Sequence, residues 1–296
     1  MKTSLEDGAS GKWAGLSAAA WKFAGRFGHS ARRNLAQWCG VLVRSPSVQN
    51  PRYSISAIAA VVVMLAAIVA SMFLIDAAAT DWAHHLPLWF TQAFEQITNA
   101  GQSGWVLSFS ALIVLLLAGL TTPFLTNLTQ GVLAALAARF GFLFIAVAAP
   151  GLFTTIVKRL IGRARPYMDA HGDPFTYMPF VWRPEYASLP SGHATTAATL
   201  AFAIGAMWPR TRWVMWLYAL VIMFSRVVVL SHHPSDAIAG ALVGVVGAAL
   251  VRRWFAARRL VFSAHDLSAY PGPSLHRIKA ALWRAVCEAW GDARRP

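Results

Sequence analysis

Two histidines and one aspartate in the second half of the chain have the types and spacing of a catalytic group. His232 precedes Asp236 by four residues, and Pro234 between them favours a helix start, whose first turn also favours an acidic residue. The Asp236 carboxylate could then accept a hydrogen bond from one nitrogen of His232, which makes the other nitrogen a better nucleophile. His193 could protonate a leaving oxygen. We therefore predict catalytic roles for His232, Asp236 and His193, and none for His233, which breaks the spacing.

Three cations are predicted to bind a phosphate beside these residues. Lys158 and Arg165 are seven residues apart, two helical turns, which would place them on one helix face before Pro166 ends the helix. Arg226 lies near the end of an apolar run, where an unpaired charge is expensive and usually functional. Cations held in this way can grip phosphate oxygens, and arginine does so with two parallel donors. The alternative for Lys158 and Arg165 is that both side chains reach to lipid headgroups.

The segment Pro190-Ser191-Gly192-His193 stands directly before an apolar run. Serine is a favoured N-cap, and glycine lets a ligand approach the backbone closely. The free N–H groups and the dipole of a helix N-terminus bind phosphate well. Ser191 and Gly192 are therefore predicted to bind phosphate beside His193, whereas an ordinary capped helix is the alternative.

The composition places the chain in a membrane. Of its 296 residues, 57% are hydrophobic and only 13% are charged, whereas about 25% is usual for soluble domains. The net charge of +14 does not indicate nucleic-acid binding, because the basic residues flank apolar runs and form no known module. Cys39 and Cys287 are isolated, which predicts neither a disulfide framework nor a zinc site.

We predict an all-α, polytopic membrane helical bundle of six transmembrane helices. Each candidate is near the roughly 20 residues that a spanning helix needs, although the fourth and sixth are short. The predicted spans are Ile55–Ile75, Trp105–Thr122, Val132–Ile156, Ala194–Trp208, Trp213–Leu230 and Ala237–Val251.

The distribution of basic residues predicts the orientation of this bundle. Residues 1–54 carry eight Lys or Arg and residues 252–296 carry nine, whereas residues 76–104 carry none. The positive-inside rule therefore places both termini in the cytoplasm and the first loop outside. One predicted outer loop breaks the rule, and an anionic ligand is the simplest reason for its charges. Its basic residues are Lys158, Arg159, Arg163, Arg165 and Arg183.

Three regions follow from these patterns. Residues 1–54 form a basic cytoplasmic segment, either an amphipathic helix in the membrane interface or a disordered tail. Residues 55–252 form the six-span domain, and residues 253–296 form a basic cytoplasmic tail.

Three motifs, in this order, resemble the signature of the type 2 phosphatidic acid phosphatase superfamily: Lys-x6-Arg-Pro, Pro-Ser-Gly-His and Ser-Arg-x5-His-x3-Asp. The resemblance covers roughly residues 100–250, includes the segment Asn99–Trp105, and extends to vanadium haloperoxidases, which share the site. It implies that His232 attacks phosphorus and becomes phosphorylated, that Asp236 orients it, and that His193 protonates the leaving group and later activates water. It further implies that Lys158, Arg165, Arg226, Ser191 and Gly192 hold the phosphate, without a metal or other cofactor.

The expected function is a bacterial lipid phosphatase of the inner membrane with its site facing the periplasm. Candidate substrates are undecaprenyl pyrophosphate, phosphatidylglycerophosphate, phosphatidate and lipid A. The bilayer and the lipid phosphate are the expected partners, and the sequence indicates neither a nucleic acid nor a protein partner. The alternatives are a lipid-to-lipid phosphotransferase, a vanadate-dependent peroxidase, or a non-catalytic binder or transporter of anionic lipids.

Overall fold

The computed structural model describes residues 3–46, 48, 53–168 and 173–293, with side chains from residue 20 in the first helix and up to residue 291 in the last. This part of the chain is helical and contains no β-strand. Its α-helices are α1 Thr3–Val43, α2 Ile55–Leu74, α3 Asp76–His84, α4 Leu88–Thr98, α5 Ser103–Leu120, α6 Asn127–Ile161, α7 Gly192–Met207, α8 Arg212–Val228, α9 Pro234–Ala256 and α10 Leu275–Ala293.

The predicted spans correspond to α2 and to α5 through α9, and the all-α membrane fold is confirmed. Within the described residues, five helical stretches are long and apolar enough to cross a membrane: Ile55–Leu74, Leu88–Leu120, Asn127–Ile161, Pro209–Val228 and Pro234–Ala256. The helix that corresponds to the remaining predicted span, α7, has only 16 residues. The count of six spans and the cytoplasmic placement of both termini therefore stay predictions.

Helix α7 is an interior helix. Most of its side chains are buried, and they are mainly alanine and threonine. Small side chains allow α9 to approach closely, since a Cβ on Gly240 would collide with the carbonyl oxygen of Ser191, and one on Gly244 with that of Thr195. The close packing explains how a helix shorter than a membrane span has a place in the fold, and it holds the first turn of α7 against α9.

The contacts divide the chain into two units. The first consists of Met1–Ser45, Ser110–Gly141 and Tyr270–Pro296, and the second of Pro46–Phe109 and Phe142–Ala269. The core of the first unit includes Leu117, Leu133 and Ala285. In the second unit, Ala197 and Ala201 of α7 pack with Ile222 of α8.

Both terminal segments contain a helix. Helix α1 occupies most of residues 1–54, and its buried Asn34 donates hydrogen bonds to the carbonyls of Ala118 and Thr121 at 2.8 and 2.6 Å. The described part of this segment is therefore helical, whereas its place in the membrane interface stays a prediction. Helix α10 lies within the region predicted as a basic tail. The predicted domain limits stay predictions. Some of the basic residues counted for the orientation lie outside the described residues: Lys2, Arg52, Arg294, Arg295 and the side chain of Lys12.

Candidate active site

All three motif clusters belong to the second unit and come together at helix ends. Lys158 lies in the last turn of α6, Ser191 and His193 begin α7, and His232 stands between α8 and α9. Lys158, Arg165, Arg226 and His232 all lie close enough to His193 for their charges to act on it. The structure therefore assembles the predicted site residues around one point.

His232 is 3% exposed and the Asp236 carboxylate is fully buried. As expected, Pro234 begins α9 and Asp236 occupies its first turn, where one carboxylate oxygen accepts a hydrogen bond from the His233 N–H at 2.9 Å. The direct distance from His232 Nδ1 to Asp236 Oδ2 is 3.9 Å, which is too long for a hydrogen bond. Burial lowers the pKa of His232 from 6.5 to about 4, although Asp236 opposes the shift.

A serine that sequence reasoning missed lies between the two groups. The Ser188 hydroxyl donates to Asp236 Oδ2 at 2.5 Å and lies 3.4 Å from His232 Nδ1. It is fully buried. Ser188 lies two residues before the Pro190 that opens the predicted motif, and a single serine in a loop carries no signal that would have identified it.

Lys158 and Arg165 come together by a route that differs from the prediction. Helix α6 ends at Ile161, so Arg165 lies beyond the helix and the two residues do not share a helical face. The chain turns at Gly162, whose φ of +67° favours glycine. Arg165 nevertheless lies near Lys158, whose ammonium nitrogen also lies 3.7 Å from the position of a Cβ on Gly192. Lys158, Arg165 and the N-terminus of α7 therefore lie close together.

Arg226 is 7% exposed at the end of α8. One of its terminal nitrogens donates to Thr98 Oγ1 at 2.8 Å, and its carbonyl accepts a hydrogen bond from the His232 N–H at 3.2 Å. Among the described residues, no hydrogen-bond partner is present for the buried Nε atoms of Arg165 and Arg226. Unused donors on two buried cations suit an anionic ligand with several oxygens.

The N-terminus of α7 has the predicted cap. The Ser191 hydroxyl accepts a hydrogen bond from the Ala194 N–H at 3.5 Å, and the Ser191 N–H donates to the Asp236 carbonyl at 3.0 Å. His193 lies against Gly101 of the segment Asn99–Trp105, since a Cβ on that glycine would lie 3.2 Å from His193 Cδ2. This segment therefore closes one side of the site, and any side chain at position 101 would press on His193.

The prediction that the basic residues of this outer loop are there to bind an anionic ligand is wrong for Arg163. Its guanidinium is fully buried, donating to Asp236 Oδ1 at 2.6 Å and to Asp76 Oδ2 at 2.9 Å. Nor does Arg183 lie in the site: it is 70% exposed and 3.6 Å from Glu185. The guanidinium carbon of Arg159 lies over the Trp182 ring, 5.9 Å from its centroid. Of the five loop cations, Lys158 and Arg165 are the two whose charges act on His193.

This arrangement can hold a tetrahedral anion next to a nucleophile. Cations and a helix N-terminus stabilise the equatorial oxygens of a phosphoryl group, where negative charge concentrates during transfer. A buried imidazole that remains neutral can attack the phosphorus. Within the described residues, no three His, Cys, Asp or Glu side chains are grouped to hold a metal ion.

Known proteins resemble this chain in sequence. The sequence model of the PAP2 superfamily matches residues 139–260. A lipid A 1-phosphatase of Rhizobium johnstonii is 33% identical over 202 residues, which are 68% of this chain and 81% of that protein. An undecaprenyl-diphosphatase of Sulfolobus acidocaldarius is 31% identical over 94 residues, which are 30% of this chain and 46% of that protein.

One solved structure is also similar. It is the crystal structure of a transmembrane PAP2-type phosphatidylglycerolphosphate phosphatase from Bacillus subtilis, with 23% sequence identity and a TM-score of 0.43. The match covers 67% of this chain and 93% of that chain.

Proposed function

Because the chain belongs to the PAP2 superfamily, we propose that it is an integral membrane lipid phosphatase that works through a phosphohistidine at His232 and needs no metal. The observation that supports this mechanism best is the buried His232, with a hydroxyl and a carboxylate behind Nδ1 and three cations nearby. A binding protein needs the cations but not the oriented nucleophile.

In the first step, His232 Nε2 attacks the phosphorus and the bond from phosphorus to the lipid oxygen breaks. Lys158, Arg165, Arg226, the Ser191 hydroxyl and the Gly192 N–H hold the remaining phosphoryl oxygens. His193 gives its proton to the leaving oxygen. The bound phosphate itself favours the protonated form of His193, since its negative charge offsets the surrounding cations. The products are the dephosphorylated lipid and phosphohistidine.

In the second step, water attacks the phosphohistidine. His193, now neutral, takes a proton from this water, and the bond from phosphorus to Nε2 breaks. Inorganic phosphate leaves, His232 is again neutral, and His193 is again protonated. The proton on His232 Nδ1 stays in place throughout.

We propose the 1-phosphate of lipid A as the substrate. The relative from Rhizobium johnstonii and a second from Rhizobium etli are both lipid A 1-phosphatases, and the latter is 33% identical over 180 residues, 60% of this chain. The match to the undecaprenyl-diphosphatase covers less of either protein. The distribution of basic residues supports a bacterial inner-membrane location with the site facing the periplasm.

The test is phosphate release by purified protein in detergent with EDTA. The lipids are lipid A, undecaprenyl pyrophosphate, phosphatidylglycerophosphate and phosphatidate, and the proteins are wild type, His232→Ala and His85→Ala. His85 is an exposed histidine and serves as the matched control. We expect wild type and His85→Ala to release phosphate, fastest from lipid A, and His232→Ala to lose at least about a thousandfold, because removing a nucleophile costs several orders of magnitude.

Other outcomes would redirect the assignment. Phosphate release that survives His232→Ala contradicts the phosphohistidine mechanism, and release abolished by EDTA contradicts metal independence. Loss of the lipid phosphate without release of inorganic phosphate, in the presence of an acceptor lipid, indicates a phosphotransferase. Faster release from another lipid in the panel overturns the lipid A proposal alone.

A further inference from the structure

Arg163 is the centre of a buried polar network that joins distant parts of the second unit. All three guanidinium nitrogens donate hydrogen bonds: one terminal nitrogen to Asp236 Oδ1 at 2.6 Å and Ser235 Oγ at 2.7 Å, the other to Asp76 Oδ2 at 2.9 Å, and Nε to the Pro174 carbonyl at 2.9 Å. One cation thus faces two carboxylates, and all three groups are completely buried. A cation in this position fixes Asp236 as a carboxylate.

Asp76, like Arg163, uses its polar atoms in several buried hydrogen bonds. Its Oδ1 accepts hydrogen bonds from the Ser71 hydroxyl at 3.0 Å and the Ser235 N–H at 3.0 Å, and its Oδ2 accepts one from the Ser235 hydroxyl. Asp76 begins α3, whereas Ser235 lies in the first turn of α9 beside Asp236. The first loop is therefore bound to the helix start that carries the catalytic carboxylate.

Ser188 has the geometry of a relay between His232 and Asp236. Its hydroxyl proton is used in the short bond to Asp236, so its oxygen is free to accept a hydrogen bond from Nδ1–H of His232. The Ser188 N–H donates to the Arg163 carbonyl at 3.1 Å, so the same arginine also places the serine. This chain of donors leaves Nε2 of His232 without a proton and able to attack.

On the basis of the proposed phosphohistidine mechanism, we propose that Ser188, Arg163 and Asp76 are positioning residues for the nucleophile. The Ser188 hydroxyl carries the hydrogen bond from His232 to Asp236, and the pairing of Arg163 with Asp76 holds that carboxylate in place. When Nε2 bonds to phosphorus, the ring becomes cationic while keeping its Nδ1 proton. The relay stabilises this charge through the serine, and no proton has to move.

The first experiment compares Ser188→Ala with wild type, using Ser110→Ala as the control. Ser110 is also a buried serine, but its hydroxyl has no hydrogen-bond partner within the described part of the chain, so its loss should be harmless. We expect Ser188→Ala to lower kcat about ten- to a hundredfold with KM within about threefold of wild type, because the loss falls on orientation rather than on substrate binding. Ser188→Thr, which keeps a hydroxyl, should recover most of kcat. A kcat within twofold of wild type for a folded Ser188→Ala protein would overturn the relay.

The second experiment separates positioning from folding. Asp76→Asn removes one partner of Arg163 and leaves its ion pair with Asp236. The double variant Asp76→Asn with Arg163→Met removes the pair of Arg163 and Asp76 but leaves Asp236 as a buried carboxylate without a cation, so we expect it to unfold at a lower temperature than wild type. Measured at a temperature at which the double variant is folded, its kcat should be at least about tenfold low, since Asp236 is no longer held. A wild-type kcat in the folded double variant would mean that the pair serves folding alone.

The two proposals can fail separately. Wild-type protein without activity on any lipid contradicts the proposed function. If wild type is active and neither Ser188→Ala nor the double variant lowers kcat, the positioning network is contradicted and the proposed function stands.

Discussion

His232 illustrates how the surroundings of a residue decide its chemistry. Its ring is almost completely buried, which disfavours its charged form, while the hydroxyl behind Nδ1 sets which nitrogen carries the proton. Both effects keep Nε2 a free base. A surface histidine such as His85 lacks the first condition, because its side chain is 77% exposed.

The lowered pKa of His232 predicts an unusual acid limb in the pH profile. In the proposed mechanism the neutral ring attacks, so its pKa of about 4 should keep it active as the pH falls through 6.5. We expect kcat to fall on the acid side below about pH 5, and on the alkaline side as His193, which the bound phosphate keeps protonated, loses its proton, with both limbs belonging to the interacting pair. Rates measured on lipid A from about pH 3.5 to 10 test this. A flat profile contradicts the acid–base assignment, and an acid limb near 6.5 contradicts the effect of burial. His85→Gln should leave the profile unchanged.

At the scale of the elements, the contact of α7 with α9 connects the two segments that are proposed to be catalytic. Helix α7 begins with the turn proposed to bind phosphate, and α9 begins with the helix turn that carries Asp236. Gly240 and Gly244 let α9 lie directly on the backbone of α7. The relative placement of His193 and His232 therefore depends on these two glycines, which carry no side chain.

We expect Gly240→Ala to reduce both stability and activity. The added methyl group meets the Ser191 carbonyl and lies 3.0 Å from Ala194 Cβ, so the two helices must separate. Overpacking of this kind costs about 1–3 kcal/mol, and the shift displaces the phosphate-binding turn. The measurements are the thermal unfolding temperature in detergent and phosphate release. Gly141→Ala, whose methyl group meets nothing within 4 Å, is the control and should be neutral or stabilising. Equal effects of the two variants would contradict the packing argument.

The sequence predicted the long apolar helices and the start of α9 correctly for physical reasons. Apolar runs bounded by polar residues mark α2, α5, α6, α8 and α9, and Pro234 and Asp236 mark a helix start by local rules. The sequence could not reveal Ser188 or the pairing of Arg163 with Asp76. These contacts join residues 48 and 87 positions apart, and only the tertiary fold decides which buried serine or carboxylate meets which partner.

At the scale of the whole molecule, the surface of the helices suits a bilayer. Large apolar side chains are exposed along α2, among them Val63 at 66% and Phe73 at 70%. In water such a surface would aggregate, whereas lipid chains can cover it. The basic residues lie mainly before the first span and after the last, which predicts the direction in which the protein is inserted.

The two native cysteines can test this orientation. Cys39 and Cys287 are both exposed and lie in the terminal segments that are predicted to be cytoplasmic. We expect a membrane-impermeant thiol reagent to leave them unlabelled in intact spheroplasts and to label them in inverted vesicles. As a control, Asp81→Cys in a background with Cys39→Ser and Cys287→Ser should show the opposite pattern, since Asp81 is exposed in the first loop. Labelling of Cys39 and Cys287 from outside would reverse the orientation.

The buried network of Asp76, Arg163 and Asp236 has a consequence for biosynthesis. The ribosome makes Asp76 first and Asp236 last, and 73 positions separate Arg163 from Asp236. Until α9 enters the membrane, Arg163 has one carboxylate rather than two, and the Ser188 hydroxyl beside His232 has no carboxylate to which it can donate. Copies that stall or are cut before residue 236 would therefore carry the proposed phosphate-binding cations without an oriented nucleophile. On the proposed mechanism, enzymatic competence arises only when nearly the entire apolar region has been inserted, and unfinished chains would be inert towards the lipids around them.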